Sequence, residues 1–435
     1  MEAKNPMSKK ALWLVFGAAL LARFFASGTD TILWPDSKAF IQSAWALLDP
    51  ARWADFRAER TPGYPLFLIL NMGLIKLFDK PVTPEGLANI TMFTQALLGC
   101  FTAVLLSLTV QQLFKTPWLS LIAGLVCALS PNLILYEHYV LTESLYAFLL
   151  TLYTFTMTHF WEKPTTAKQS ITQGLLLGGI AALLIWVRHI ALVIILCTSV
   201  YYWLTRRHKE LITYCALVFL AIGSWTLFQY HAHGFLGYSA GSGLNQLYKV
   251  VDFVDYQSSV EKNFKQLLWQ RMQIHPEQRH YEAVNDVHVI HAMQNEQGPS
   301  PRPYDEIYLQ DDRAAAVIVK EAILQSPVRY LVVTGLQLGH LLLPPETKSD
   351  PHNFYWGPLL LLGLLGLTLA VSQSSLTAFT PLSMIGFITA GQILVYPWMT
   401  VCVARYRIPL EPLVITLAAY ALLRLCQTKV QQKQV

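Results

Sequence analysis

Long apolar stretches alternate with short polar turns along most of the chain. A helix needs about 20 mostly apolar residues to cross a bilayer, so this pattern predicts an all-α polytopic membrane protein. The predicted spans cover residues 11–26, 87–114, 118–136, 143–161, 171–187, 190–204, 211–229, 354–371, 376–397 and 408–425, which makes ten. The segment 327–343 is apolar but interrupted by polar residues, and it would be an eleventh span if it crossed fully.

The loop 28–86 between the first two spans contains two further apolar segments. In residues 37–48 the apolar positions recur at helical spacing on one face, and the segment is too short to span. This pattern is typical of a helix that lies on the membrane surface. Residues 65–78 are also short, and the alternation of the later spans keeps them on the same side. We therefore predict two juxtamembrane helices in this loop.

Basic residues orient the spans, because loops rich in Lys and Arg stay in the cytoplasm. Lys9 and Lys10 precede the first span, and Arg206, Arg207 and Lys209 follow the span 190–204. Both termini are therefore expected in the cytoplasm, and the loop 28–86 outside. The polar segment 230–326, with helical patterns at 260–272 and 314–324, is predicted to form a small external cap on a single transmembrane domain, residues 1–435.

The composition agrees with this class. Hydrophobic residues make up 54% of the chain and charged residues 14%, well below the share typical of soluble domains. The net charge of +5 comes without long basic runs, which argues against nucleic-acid binding. The six cysteines lie in or beside apolar spans without metal-ligand spacing, so we interpret them as free thiols. The chain contains no phosphate-loop or zinc-protease motif.

The predicted orientation gathers ionisable residues on the outer face. Because charged groups at membrane depth are costly, such a gathering indicates a functional site. A carboxylate can act as general base, while cations stabilise a departing phosphate. Each residue also has a structural interpretation, as a helix cap for the acids and as an interface anchor for the arginines. The residues are the acids Asp36 and Glu143 and the cations Lys38, Arg60, Arg188, Arg405 and Arg407.

Several short motifs, taken in order, resemble the GT-C glycosyltransferases. They are Asp36 beyond the first span, RTPGYPLF at 60–67, LTESLY at 141–146, Val187-Arg188, and ARYRIPLEP at 404–412. The nearer branch is similar to protein O-mannosyltransferases and to the aminoarabinose transferase of lipid A. The resemblance covers residues 11–425 and is weakest at 231–325. A transporter or flippase of lipid-linked sugars and a non-catalytic assembly subunit are the alternatives.

The resemblance implies an inner (plasma) membrane enzyme that transfers a sugar, with inversion, from a polyprenyl-phosphate-linked donor. It implies that Asp36 is the general base and that Glu143 orients the acceptor or supports Asp36. Arg405 and Tyr406 would face the carrier phosphate or the sugar, and Arg60 and Arg188 would contact the phosphate. Lys38, Tyr64 and Arg407 complete the predicted substrate-binding set.

The acceptor, whether lipid, glycan or protein, is open. The sequence departs from the protein mannosyltransferases because Asp36 is followed by Ser37 instead of a second acid. It also lacks their large luminal insertion and a soluble C-terminal domain, which disfavours a protein acceptor. Some GT-C enzymes bind a divalent metal. Since this chain offers no dense set of carboxylates, we expect no metal or other cofactor.

Overall fold

The structure, a computed structural model, describes residues 7–26, 33, 35–161, 166–242, 246, 304–342, 351–372, 380–399 and 404–432. Every regular element in these ranges is a helix, so the predicted all-α class is confirmed. The helices are α1 (Lys9–Ala26), α2 (Pro35–Leu48), α3 (Gly63–Leu77), α4 (Pro84–Phe114), α5 (Pro117–Ala128), α6 (Pro131–Glu137), α7 (Glu143–Trp161), α8 (Ala167–Val187), α9 (Leu192–Leu204), α10 (His208–His233), α11 (Tyr304–Gln325), α12 (Pro327–Leu342), α13 (Pro351–Ser372), α14 (Pro381–Met399) and α15 (Glu411–Gln432). Short 3₁₀ helices cover Pro50–Asp55, His189–Ala191 and Ala404–Leu410.

The chain is a multi-pass membrane protein. Among the described helices, five are long and apolar enough to cross a bilayer, namely Pro84–Phe114, Ala167–Val187, His208–His233, Tyr355–Ser372 and Tyr406–Gln427. The bent pair α5 and α6 would count as a sixth. The number of ten spans stays a prediction, as does the question whether α12 crosses.

Most predicted segments coincide with helices, but one predicted span is broken into two helices. Residues 118–136 are not one continuous helix, because α5 and α6 meet at a bend of 43°. The Ser130 side chain caps α6 by accepting a hydrogen bond from the Leu133 N–H. Pro131 occupies the first turn of α6, where a missing backbone N–H costs nothing. Because proline cannot donate a hydrogen bond within a helix, α5 ends before it.

The last predicted span also begins differently, since residues 404–410 form a 3₁₀ helix and α15 starts only at Glu411. The helical pattern at 314–324 lies inside α11. The predicted helix at 260–272 and the start of the predicted span 376–397 lie outside the described residues.

Helix α15 occupies the centre of the bundle, where it packs against α4, α5, α7, α13 and α14. Of its apolar window, 78% is buried in the protein, whereas the figure for α10 is 22%. Because an apolar helix surface that is not buried in protein needs lipid around it, α10 belongs to the periphery of the bundle. The 3₁₀ helix Ala404–Leu410 leads directly into the buried α15, so this segment is held in the interior of the bundle.

The predicted juxtamembrane helices α2 and α3 pack against each other and against the start of α4. Phe40 and Ala44 on α2 join Tyr64 and Leu68 on α3 in one apolar cluster, which extends to Val140 in the link between α6 and α7. The ring centroids of Phe40 and Tyr64 lie 5.0 Å apart in an edge-to-face arrangement. This packing brings the first turn of α2 close to the first turn of α3.

Candidate active site

The first functional feature is an ion pair between Asp36 and Arg60. Asp36 lies in the first turn of α2, and Arg60 lies just before α3. The guanidinium Nη2 of Arg60 is 2.7 Å from Oδ1 of Asp36, and the two side chains are 22% and 25% exposed. The Arg60 guanidinium also lies over the Phe40 ring, 4.7 Å from its centroid. A partly accessible carboxylate is thus held in place by a cation that is itself fixed by packing.

The turn after Arg60 is docked on the end of α8. The Thr61 hydroxyl donates a hydrogen bond of 3.0 Å to the carbonyl oxygen of Val187. A Cβ atom on Gly63 would lie 2.8 Å from the backbone of Trp186 and Val187, a distance that real Cβ atoms essentially never show. Glycine is therefore required for this close approach. Because Arg188 follows Val187, the docking places the Asp36–Arg60 pair beside Arg188.

The second feature is a buried ion pair between Glu143 and Arg188. The Arg188 Nη2 lies 2.5 Å from Oε1 of Glu143, whose side chain is 2% exposed. The Arg188 Nε donates to the Thr142 hydroxyl at 2.7 Å, and Nη1 donates to the Tyr396 hydroxyl at 3.3 Å. Arg188 interrupts the helix between α8 and the 3₁₀ helix His189–Ala191, with an extended backbone (φ −148°, ψ 128°). The guanidinium of Arg188 therefore links the start of α7 to α14.

The Arg188 guanidinium also lies between two aromatic rings, those of Tyr146 and Tyr406, each 5.8 Å away. Tyr406 stacks on Tyr396 with ring centroids 5.2 Å apart. The 3₁₀ helix Ala404–Leu410, which was predicted to carry part of the site, thus contacts Arg188 through Tyr406.

The remaining members of the predicted set lie in different surroundings. Lys38 is exposed, and the Arg405 side chain lies outside the described part of the structure. Tyr64 is fully buried, and its hydroxyl donates to Oε1 of Gln95 at 2.9 Å. Burial, together with the nearby Glu143 carboxylate, raises the pKa of the Tyr64 hydroxyl well above its ordinary value, so the phenol stays neutral. Tyr64 therefore belongs to the packed base of the site and not to its accessible surface.

Arg407 is buried and turned toward a different neighbourhood from Arg188. Its Nη1 donates to the carbonyl oxygens of Leu341 and Leu342 at the end of α12, at 3.3 and 3.4 Å. Its guanidinium lies 4.7 Å from the centroid of the Trp356 ring. Arg407 thus ties the late segment to α12 and α13, whereas Tyr406 contacts Arg188.

One buried ion pair was not expected from the sequence. Arg23 on α1 pairs with Glu137 at the end of α6, with its Nη2 2.6 Å from Oε1 of Glu137 and both side chains almost fully buried. Arg23 also donates to the carbonyl oxygens of Ala19 and Ala128. A Cβ atom on Gly99 would overlap with both charged groups. The only sequence signal was an acid at the end of an apolar segment.

A second acid without a predicted role, Glu411, is also buried at this end of the bundle. Its carboxylate accepts hydrogen bonds from Ser130, from Asn132 at 3.1 Å and from Tyr355 at 2.9 Å. These donors lie at the bend between α5 and α6 and on α13. The bend that breaks the predicted span 118–136 therefore also provides the partners of this acid.

The structure thus forms two groups, Asp36 with Arg60 and Glu143 with Arg188 and Tyr406, which are linked by the hydrogen bond between Thr61 and Val187. This arrangement offers an accessible carboxylate as a proton acceptor and two guanidinium groups as partners for an anion. Within the described ranges, no three His, Cys, Asp or Glu side chains cluster as metal ligands.

The sequence matches no protein-family model and no curated protein. Solved structures do match. An archaeal oligosaccharyltransferase, AglB from Archaeoglobus fulgidus, was solved in complex with an inhibitory peptide and a dolichol-phosphate. It aligns with 98% of this chain and 51% of its own, at 14% identity and a TM-score of 0.53. An Archaeoglobus fulgidus oligosaccharyltransferase tethered to an acceptor peptide with the NVT sequon aligns with 96% of this chain at 12% identity and a TM-score of 0.55.

This chain spans about half the length of those archaeal structures. ArnT from Cupriavidus metallidurans in the apo state also aligns, over 95% of this chain and 78% of its own, at 14% identity and a TM-score of only 0.41. At these identities the likeness concerns the fold alone. The chain shares the fold of these two archaeal oligosaccharyltransferase structures, which agrees with the fold that the predicted resemblance implies.

Proposed function

We propose that the protein is a membrane glycosyltransferase that moves a sugar from a polyprenyl-phosphate-linked donor to an acceptor of the cell envelope. The observation that carries the proposal is the meeting of two acid–guanidinium pairs, Asp36–Arg60 and Glu143–Arg188, through the bond from Thr61 to Val187. The fold likeness adds support, since the archaeal structure of this fold holds a dolichol-phosphate.

In the proposed reaction Asp36 is the general base. An acceptor hydroxyl attacks the anomeric carbon, and its proton passes to the Asp36 carboxylate. The bond between the anomeric carbon and the phosphate oxygen breaks, and the phosphate leaves with the electron pair as polyprenyl phosphate. Attack from the face opposite the phosphate inverts the anomeric centre. The partial exposure of Asp36 supports this role, because a buried carboxylate would not meet the acceptor.

The guanidinium groups are proposed to stabilise the departing phosphate. Arg60 and Arg188 each already bind a carboxylate, and the planar fork of arginine binds phosphate in the same geometry. Tyr406 lies under Arg188 and is proposed to face the sugar or the carrier. Glu143 would hold Arg188 and orient the acceptor. Arg405, Lys38 and Arg407 remain proposed contributors.

We propose that the transfer needs no divalent metal. The support is the pairing of the acids, since Asp36 and Glu143 are each bound by an arginine, and a metal would have to compete with that cation. Transfer should then persist after exhaustive chelation. A loss that Mg²⁺, Mn²⁺ or Zn²⁺ restores would contradict the proposal.

The site is proposed to face the outside of the inner (plasma) membrane, with both termini in the cytoplasm. Lys38 is exposed two residues after Asp36, so Lys38→Cys should react with a membrane-impermeant maleimide in intact cells. Thr205→Cys, at an exposed position in the link between α9 and α10, serves as the control and should react only after permeabilisation. The reverse pattern would overturn the orientation.

The function is tested by mass spectrometry of envelope lipids and glycans from cells with and without the protein. We expect one glycosylated product to disappear with the protein and to return with the wild-type gene. Asp36→Asn should fail to restore it. Asp55→Asn is the matched control, because Asp55 is an exposed acid paired with Arg52 in the same loop, and this variant should restore the product. Restoration by Asp36→Asn would sink the assignment of the base.

A further inference from the structure

A narrow cavity lies behind the Glu143–Arg188 pair, on the side of α4 and α6. Its walls include Thr102 on α4, Glu137 on α6, and Glu143 and Ser144 on α7. It leaves about 10 Å³ for the centre of a water molecule, which is close to the minimum that one ordered water needs.

Three polar atoms of this wall have no hydrogen-bond partner among the described residues. They are Oε2 of Glu137, Oε2 of Glu143 and Oγ of Ser144. The residues are only 2%, 1% and 8% exposed. Leaving a buried polar group unpaired is unfavourable, and more so for a charged one, so a ligand that satisfies all three atoms would stabilise the arrangement.

The charges around the cavity identify the chemistry of that ligand. Oε1 of Glu137 binds Arg23, and Oε1 of Glu143 binds Arg188, so both carboxylates are already neutralised. A metal ion would need at least four ligands, and the cavity offers two carboxylates. A neutral molecule fits better, with two donors for the carboxylates and one acceptor for the serine hydroxyl. One water has this pattern, and three bonds are typical of a buried water.

We propose that a single water in this cavity joins Glu137 to Glu143, and that Glu137 is thereby a positioning residue for the active site. The ion pair with Arg23 and the close packing of its carboxylate against Gly99 hold Glu137 in place. The water passes this constraint to the second oxygen of Glu143, whose first oxygen holds Arg188. The catalytic part of this inference rests on the proposed transferase function, whereas the water itself does not.

The decisive variant replaces both members of the Arg23–Glu137 ion pair, as Arg23→Met together with Glu137→Leu. Removing Glu137 alone would leave a buried arginine uncompensated, whereas replacing both partners by apolar residues of similar size is often tolerated. The matched control is Arg207→Met with Glu210→Leu. This pair is also largely shielded from solvent, with side chains 17% and 5% exposed and Arg207 Nη2 2.9 Å from Glu210 Oε1. It lies at the other end of α8 and α10 from Arg188, where Arg207 donates to Gln173.

The first readout is a cryo-EM map of the full chain in nanodiscs at about 2 Å resolution. The wild type and the control should show one density within hydrogen-bond distance of both Oε2 atoms and of the Ser144 Oγ. In the variant lacking Arg23 and Glu137, Glu143 should turn away from its wild-type position. An empty cavity, or a density with four or more ligands at metal distances, overturns the proposal.

The second readout is kinetic. Misplacing a reacting group by about 1 Å can cost 100-fold in rate, so we expect kcat to fall about 10- to 100-fold with an unchanged KM for the donor. The control should keep the wild-type kcat. An unchanged kcat in the variant overturns the positioning role. If the wild-type protein transfers no sugar, the proposed function fails, and the map still decides whether the water is present.

Discussion

Replacing Arg188 by methionine is expected to be among the most damaging single changes at this site. The substitution removes the 2.5 Å ion pair to Glu143 and the hydrogen bonds to Thr142 and Tyr396. It leaves a carboxylate that is 2% exposed without its cation. Breaking a buried pair in this way typically costs about 3–5 kcal/mol.

The double variant Arg188→Met with Glu143→Leu separates the cost of the orphaned charge from the value of the pair. It leaves neither charge of the pair in place. It loses the hydrogen bonds to Thr142 and Tyr396, each worth about 1 kcal/mol, together with the contacts of Arg188 with the Tyr146 and Tyr406 rings. We therefore expect the double variant to be destabilised by about 2 kcal/mol, which is less than the single variant.

The free energies of unfolding are measured by SDS titration of the purified protein in mixed micelles. Arg52→Met is the control, since the Arg52 and Asp55 side chains are 47% and 49% exposed and exposed pairs contribute at most about 1 kcal/mol. The reasoning is refuted if Arg188→Met costs no more than this control, or if the double variant is less stable than the single one.

Three further substitutions test the packing around the site by the same titration. Gly63→Ala should destabilise the protein by about 1–3 kcal/mol because its Cβ would meet the backbone of α8. Gly99→Ala should cost a similar amount by displacing Glu137. Gly17→Ala is the control for both, since nothing lies within 4 Å of a Cβ there, and an unchanged or higher stability is expected. Tyr64→Phe should cost about 1–3 kcal/mol by leaving a buried amide oxygen without its donor. Effects no larger than that of the control would contradict these contacts.

The positions of most helices followed from the sequence because each apolar stretch has to satisfy its own backbone in lipid, and only a helix does so. The break at Ser130-Pro131 was also readable in principle, since a capping serine before a proline is a helix start. Hydropathy does not reveal the break, because the apolar run continues through it. Hydropathy responds to composition and not to backbone geometry.

The site was predictable as a set of residues but not as a set of pairs. Motif order predicted that Asp36, Arg60, Glu143 and Arg188 belong to one site, and the structure pairs Asp36 with Arg60 and Glu143 with Arg188. The pairing of Arg23 with Glu137 joins residues 114 positions apart and depends on how α1 and α6 pack. Nothing in local sequence encodes such a contact.

The same limit applies to Tyr64 and Arg407. The motifs place both residues in the predicted substrate-binding set, whereas the packing buries both side chains. Tyr64 is enclosed under α2, and Arg407 is bound by the end of α12. Burial depends on neighbours from distant parts of the chain, which a short motif does not specify.

The most direct test of the account is a transfer assay with purified protein, a radiolabelled polyprenyl-phosphate sugar and an envelope extract as acceptor. The wild type should release polyprenyl phosphate together with a labelled product of inverted anomeric configuration. Asp36→Asn should remain folded, because Asp36 is 25% exposed, and should lose about 100-fold or more in rate, the usual share of a general base. Near wild-type turnover by Asp36→Asn, or a product that retains the configuration, would contradict the account.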